Sequence, residues 1–236
     1  MSKSAIAKKR LPTFVAGAVA AAVIPIPIAD SVAISAVQLA MLYMFIHEIY
    51  KRDIGVSTLK GLVAAVITSN VGIWLGSFTK AIPIIGTVFG ILLQMTIAGT
   101  LTAALGLAII EILEKEQDFS IKNVMDLMKK KKGEAKNFAE KQVKNYKSNI
   151  KDIKIIQFKC ETPEVQDTLV LTFNAHRHTN TRIDIINSKG NVLHTHDVDG
   201  ENQRIDMPFN EYEKGSYSAV FKADGVQDIT LFFVKL

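Results

Sequence analysis

Apolar and polar positions divide this chain into two halves with different periods. In the first half, four runs carry no charge: residues 11–29, 31–47, 61–79 and 81–110. A helix on the surface of a soluble protein keeps a polar stripe for water, whereas about 20 consecutive apolar residues match a bilayer core. The breaks between the runs predict helices. Pro25 and Pro27 remove two amide donors and disfavour helix at the residues before them, and Asp30 or Ser31 can cap the next helix. Pro83 with Gly86 makes a second break. The expected helices are therefore 11–29, 31–51, 57–79 (capped by Ser57) and 87–116, arranged as two hairpins behind a short basic lead. Both hairpins put their charged ends on one side, with Lys8, Lys9, Arg10, Lys51, Arg52 and Lys60 there.

Past residue 113 the chain turns polar and Lys-rich. Ile121, Val124, Met125 and Met128 recur at helical spacing, which predicts a helix over 120–132 capped by Ser120. Gly133 is expected to end it or act as a hinge, and a second helix is expected over 134–148. From residue 153 the period becomes two. Strands are expected at 153–160, 168–175, 182–187, 192–198, 204–208, 217–223 and 229–234, with turns at 187–190, 199–200, 214–215 and 224–225. Short strands at such spacing predict an antiparallel, immunoglobulin-like β-sandwich. The expected organisation is thus multidomain α plus β: a four-helix, helical-hairpin membrane-type domain at 1–113, a Lys-rich helical linker at 114–151 and a β-sandwich at 152–236.

Charge sharpens this division. Residues 1–113 carry 8 Lys+Arg against 4 Asp+Glu, residues 114–160 carry 13 against 7, and residues 161–236 carry 7 against 12. A basic middle beside an apolar block favours anionic lipid headgroups, and Lys129, Lys130, Lys131 and Lys132 are the expected headgroup contacts. By the positive-inside rule the charged ends and the C-terminal domain are expected on the cytoplasmic side of the inner membrane. The acidic C-terminal part and the lack of a binding motif argue against nucleic acid. Lys3, Lys8, Lys9 and Arg10 ahead of an apolar stretch have the layout of a signal peptide. The apolar character continues well past any cleavage point, so a retained segment is expected. Cys160 is the single cysteine, so no internal disulfide forms.

Two motifs in the helical half carry a family likeness. Pro25-Ile-Pro27-Ile-Ala-Asp30, then Gln38, Met41 and Tyr50, is followed by Pro83 and Gly86 in the second hairpin, and by Gly99 and Gly106. This pattern resembles the YcjF-like family, bacterial hydrophobic helical domains of unknown function often found beside or fused to a small GTPase domain. The resemblance implies membrane association, a helical-hairpin fold and a GTPase as a possible partner. No G-x-x-x-x-G-K-[ST] phosphate loop is present in this sequence, so that partner would be a separate protein. In the second half, 182–193, 205–209 and 214–220 resemble small immunoglobulin-like modules of Bacteroidota, including the C-terminal sorting domains of type IX secretion cargo. That resemblance is read for the fold and not for secretion.

Catalytic chemistry is faint. His176 with His178, and His194 with His196, each place two imidazoles on one face of a strand, which makes them weak metal candidates. Exposed histidines on a hairpin are the plainer expectation. There is no G-x-S-x-G elbow, and Cys160 at a strand end is expected to pack. No enzyme activity and no cofactor are expected. The leading expectation is a membrane-anchored adaptor or scaffold, with membrane lipids and possibly a separate small GTPase as partners and homo-oligomers open. The alternatives are a membrane-active pore former with a β targeting module, a soluble helical bundle and a histidine–metal protein.

Overall fold

The computed structural model describes residues 1–22, 29–75, 88–146, 158–173, 175, 179–198, 203–226 and 228–236. Among these residues a helical N-terminal region precedes a β-rich C-terminal one. The first helix, α1 (Lys3–Ala21), starts eight residues earlier than its apolar run suggests. Ser2 caps it, accepting from the Ala5 amide at 3.2 Å, and the basic lead is helical because Ser4, Ala7 and Leu11 put a buried stripe on one of its faces. Pro12 lies inside α1, where it removes one rung of the helical ladder.

Helix α2 (Ala29–Tyr43) runs into a π-helical turn, Met44–Ile49. Its end is marked by the Arg52 amide donating back to the Ile46 carbonyl and by Lys51 at φ 59°. Helix α3 (Val56–Leu75) begins on the Gly55 carbonyl, which accepts from both Thr58 and Leu59. The start is therefore set by backbone bonds at Gly55 and not by the expected Ser57 cap. Helix α4 (Val88–Glu114) lies between α1 and α5 and is mostly buried.

Helix α5 (Ile121–Tyr146) corrects the linker reading. The two helices expected on either side of Gly133 are one. Ser120 does cap it, accepting from the Asn123 amide. Its apolar face, with Val124, Leu127, Met128, Ala135, Ala139, Val143 and Tyr146, is buried against α4 and α1, so α5 is no free solvated stalk. Continuous packing outweighs the roughly 1 kcal/mol that a mid-helix glycine costs.

Close helix approach depends on two glycines of α4. A Cβ on Gly99 would stand 2.7 Å from Val19 Cγ2 and 3.0 Å from Ala139 Cβ; one on Gly106 would stand 2.4 Å from Leu11 Cδ1 and 3.0 Å from Met41 Sδ. Gly99 thus sits where α1, α4 and α5 meet, and Gly106 where α1, α2 and α4 meet. The seven-residue spacing puts both on one side of α4.

The C-terminal region holds β1 (Lys159–Cys160), β2 (Glu164–Val165), β3 (Thr168–Phe173), β4 (Thr181–Asn187), β5 (Val192–Val198), β6 (Gln203–Pro208), β7 (Gly215–Lys222) and β8 (Ile229–Lys235). They form a three-stranded sheet, β1-β3-β6, and a five-stranded sheet, β2-β8-β7-β4-β5. All pairs are antiparallel except β2 with β8. Two-residue β2 was not expected, because so short an element has no period to read. Leu169, Leu171, Phe173, Ile205 and Met207 of the small sheet share one cluster with Ile183, Ile185, Ala219, Phe221 and Phe233 of the large one. Phe158 and Phe209 join it, their ring centres 5.6 Å from Phe221 and 5.4 Å from Phe233 respectively, and so do Val19, Ile91 and Tyr146 of the helices.

The large sheet has a second buried face. Phe232 and Val234 of β8 belong to the helical core cluster, and β8 and β7 lie against α1 and α2. The large sheet therefore packs on the helices through β8 and β7. Away from the helices the outer face of the large sheet becomes polar. Asp184, nearly buried, takes Lys222 Nζ at 2.8 Å and the Thr195 hydroxyl at 2.8 Å.

Candidate functional site

Charged residues from three helix ends collect at one end of the helical region. Arg52, just after the π-helical turn, pairs with Glu116 beyond α4 at 2.8 Å, and Lys3 donates to the Tyr50 carbonyl at 3.2 Å. Together with Ser2, Ser4, Lys51, Leu113 and Glu114 these groups line an open cleft of about 540 Å³. Tyr50 is buried at its edge, and burial, helped by Glu114, pushes its phenol above the ordinary range. The cleft mixes both signs of charge, so it has no bias toward an anionic ligand.

A different kind of site is the seam between helices and sheet. Ser216 of β7 donates its amide to Glu48 Oε1 at 2.8 Å and its hydroxyl to the Ala40 carbonyl at 2.8 Å. The π-helical turn carries Glu48 to that position, where a carboxylate bonding a backbone amide makes a charge-assisted hydrogen bond. Arg10 donates to the Lys189 carbonyl at 3.3 Å, and Lys60 bonds and pairs with Glu164. Between these polar ties the contact is apolar. The Phe232 ring lies 4.7 Å from that of Phe14 and directly over Gly17, whose missing side chain makes room for it. A cavity of about 230 Å³ remains in the seam, lined by Arg10, Phe14, Met44, Ser216, Val220 and Phe232 among others.

The residues singled out in the sequence fall in several places. Gln38 is fully buried on α2 and donates from Nε2 to Thr102 Oγ1 of α4 at 3.3 Å; its Oε1 finds no partner. Met41, Gly99 and Gly106 lie at helix crossings. Asp30 falls in the first turn of α2, while Pro25, Pro27, Pro83 and Gly86 lie outside the described residues. Of the four lysines, Lys131 turns inward to Glu111 at 2.9 Å, Lys129 pairs with Asp126 at 3.5 Å, and Lys130 is exposed. Lys132 is half-buried. His194 and His196 share a face of β5 with ring centres 6.5 Å apart, and His176 and His178 lie outside the described residues. Among the described residues no group of three or more His, Cys, Asp or Glu side chains could hold a metal. Burial pushes the Cys160 thiol up to about 12, which keeps it protonated and unreactive at neutral pH.

The seam itself was missed, although β8 signalled it. Leu231, Phe232, Phe233 and Val234 are four apolar residues in a row, and a strand with one wet face alternates. A continuous run means burial on both faces, and the second face needed a cover.

The comparisons with known proteins fit this division. A family model described as a domain of unknown function (DUF697) matches residues 13–137, more than half of the chain. The chain belongs to the DUF697 family. This is the YcjF-like family whose motifs fall between residues 25 and 106, and the match reaches from α1 into α5. A second model, for a secretion system C-terminal sorting domain, matches residues 164–235, from β2 to β8. Magnetosome membrane protein 22 of Magnetospirillum gryphiswaldense is 28% identical over 123 residues, covering 50% of this chain and 63% of that protein. The likeness thus spans less than two thirds of that relative. No solved structure matches the chain. In this DUF697 protein one described helical stretch, Ile91–Glu114, is long and apolar enough to cross a membrane, with a mean hydropathy of 1.9, and 83% of its most apolar window is buried inside the protein.

Proposed function

We propose that this DUF697 protein is a non-enzymatic, membrane-associated adaptor. Its helical region holds to the lipid from one side, and its sorting-type β region serves as the interaction module. The observation that carries the reading is the distribution of charge. The helix ends that bear charge gather around Arg52, Glu116 and Lys3, leaving four uncharged runs of 17 to 30 residues. Similarity to a magnetosome membrane protein supports the membrane part. The YcjF-like resemblance supports a separate small GTPase as the partner, which would dock on this chain and supply the nucleotide chemistry itself. The β region is read as a sandwich module, because its two sheets share a single apolar cluster.

Fractionation of cells making the full chain tests the first half. The protein should stay with membranes through a high-salt wash; recovery in the soluble fraction refutes the reading. A pull-down with the full chain tests the second half, and it fails if no GTPase is retained in either nucleotide state.

A further inference from the structure

The seam joins two apolar surfaces that each have an alternative. From Phe14 to Ala21 helix α1 is buried nearly all round, with α4 and α5 on one side and β8 on the other, whereas Lys3, Lys8 and Lys9 in its first half are exposed. A helix that is apolar on every side belongs in a protein interior or in lipid. Under the sheet, α1, α2 and the π-helical turn present Phe14, Gly17, Ala40 and Met44 from uncharged runs, with Arg10 and Glu48 beside them. Among the described residues, polar ties across this seam include Ser216 to Glu48, Ser216 to Ala40 and Arg10 to Lys189, with Lys60 to Glu164 beside them. A half-open pocket of about 230 Å³ enters the edge of the seam.

We propose that the α1–α2 face beneath β8 is the lipid-binding surface of this protein, and that the β region is its cap. Sheet and bilayer compete for one face. With the sheet docked the face is covered and the protein tolerates water; with the sheet released the face is free to enter the hydrocarbon. This rests on the membrane reading above and adds which surface is used and what withholds it. A ligand binds only the fraction of molecules whose site is open, so the cap lowers lipid affinity by that fraction. The Glu48–Ser216 bond then sets how much of the protein is open.

The test locks the cap. Arg10→Cys and Lys189→Cys, placed where Arg10 meets the Lys189 carbonyl, are joined in the full chain by a cleavable bismaleimide. Half-buried Cys160 is replaced by serine in these variants so that it does not compete. Sedimentation with phosphatidylglycerol–phosphatidylethanolamine vesicles is then measured on the locked protein and again after cleavage of the linker. The expected result is about a tenfold rise in vesicle-bound protein on cleavage. Glu48→Gln, never cross-linked, should bind about threefold more than the unaltered chain. Equal binding before and after cleavage overturns the cap while leaving membrane association standing. No binding in either state overturns membrane association, and the cap with it.

Discussion

Replacing Gly17 and Phe232 separately and together measures how tightly the seam is built. Phe232 is 6% exposed and lies 4.7 Å from Phe14. Truncating so buried a ring to alanine costs about 3 kcal/mol, at the low end for core phenylalanines because a cavity already adjoins it. Gly17→Ala puts a methyl 2.3 Å from Cε2 and 2.8 Å from Cδ2 of that ring. Ordinary carbon–carbon contact is about 3.5 Å, so the ring must shift by about 1.2 Å, and Phe14 blocks one way out. Overpacking of this kind costs about 1–3 kcal/mol, against an intrinsic helix gain of about 1 kcal/mol for glycine to alanine. In the double variant the clash is gone, the methyl fills part of the void and the helix gain remains. The double variant should therefore be more stable than Phe232→Ala alone by about 1 kcal/mol, with a coupling of about 1–3 kcal/mol between the sites. Urea unfolding of the full chain followed by far-ultraviolet circular dichroism reads all three variants. Simple additivity of the two single variants would refute the docking of β8 on α1.

Three further expectations concern single positions. Gln38→Leu removes a buried amide whose Oε1 has no partner and leaves the Thr102 hydroxyl its own helix carbonyls. It should change stability by less than about 1 kcal/mol or raise it, and a thermal midpoint falling well beyond that range would show the Gln38–Thr102 bond to be essential. Gly133→Ala, at an exposed mid-helix position with nothing within 4 Å of the new methyl, should stabilise by about 0.5–1 kcal/mol in urea; a loss would mean the residue serves as a hinge after all. Burial alone raises the Asp184 carboxyl pKa, but the hydrogen bonds from Lys222 and Thr195 and the charges of Lys222 and Arg182 bring it below the usual value. A lowered carboxyl contributes stability above its unfolded pKa of about 4 and loses it as the pH falls through the folded one. Asp184→Asn should thus cost about 1–2 kcal/mol near neutral pH, with the gap narrowing below about pH 4; a gap independent of pH in paired urea titrations would refute the assignment.

Much of the order of elements was readable because local chemistry and the tertiary fold agree. Ser120 caps α5 as its side chain predicts, and the strand edges fall within one or two residues of the alternation in β4 and β7. The errors come from interactions that a local window does not contain. Gly133 reads as a break, yet the faces of α4 and α1 hold α5 continuous across it. Lys3 to Arg10 read as a short basic lead ahead of the first helix, while the buried positions Ser4 and Ala7 depend on helices that come later in the chain. The lysines of α5 look alike in the sequence; only the fold shows that Lys131 faces Glu111. Nothing local marks Glu48 as the residue that meets the sheet, since its partner is the amide of Ser216, 168 positions away.

The pairing of α5 with α4 also limits how this protein can lie in a bilayer. Over much of its length α4 is sheathed by a helix whose outward positions include Lys122, Lys130, Lys141 and Lys144. Drawing α4 across the hydrocarbon would mean peeling that sheath away or dragging ammonium groups in at about 3 kcal/mol each. The opposite flank, under the sheet, carries fewer charges, with Arg10 and Glu48 at the seam. On the proposed membrane reading, such a protein would settle into one leaflet and keep its lysine flank in the aqueous phase.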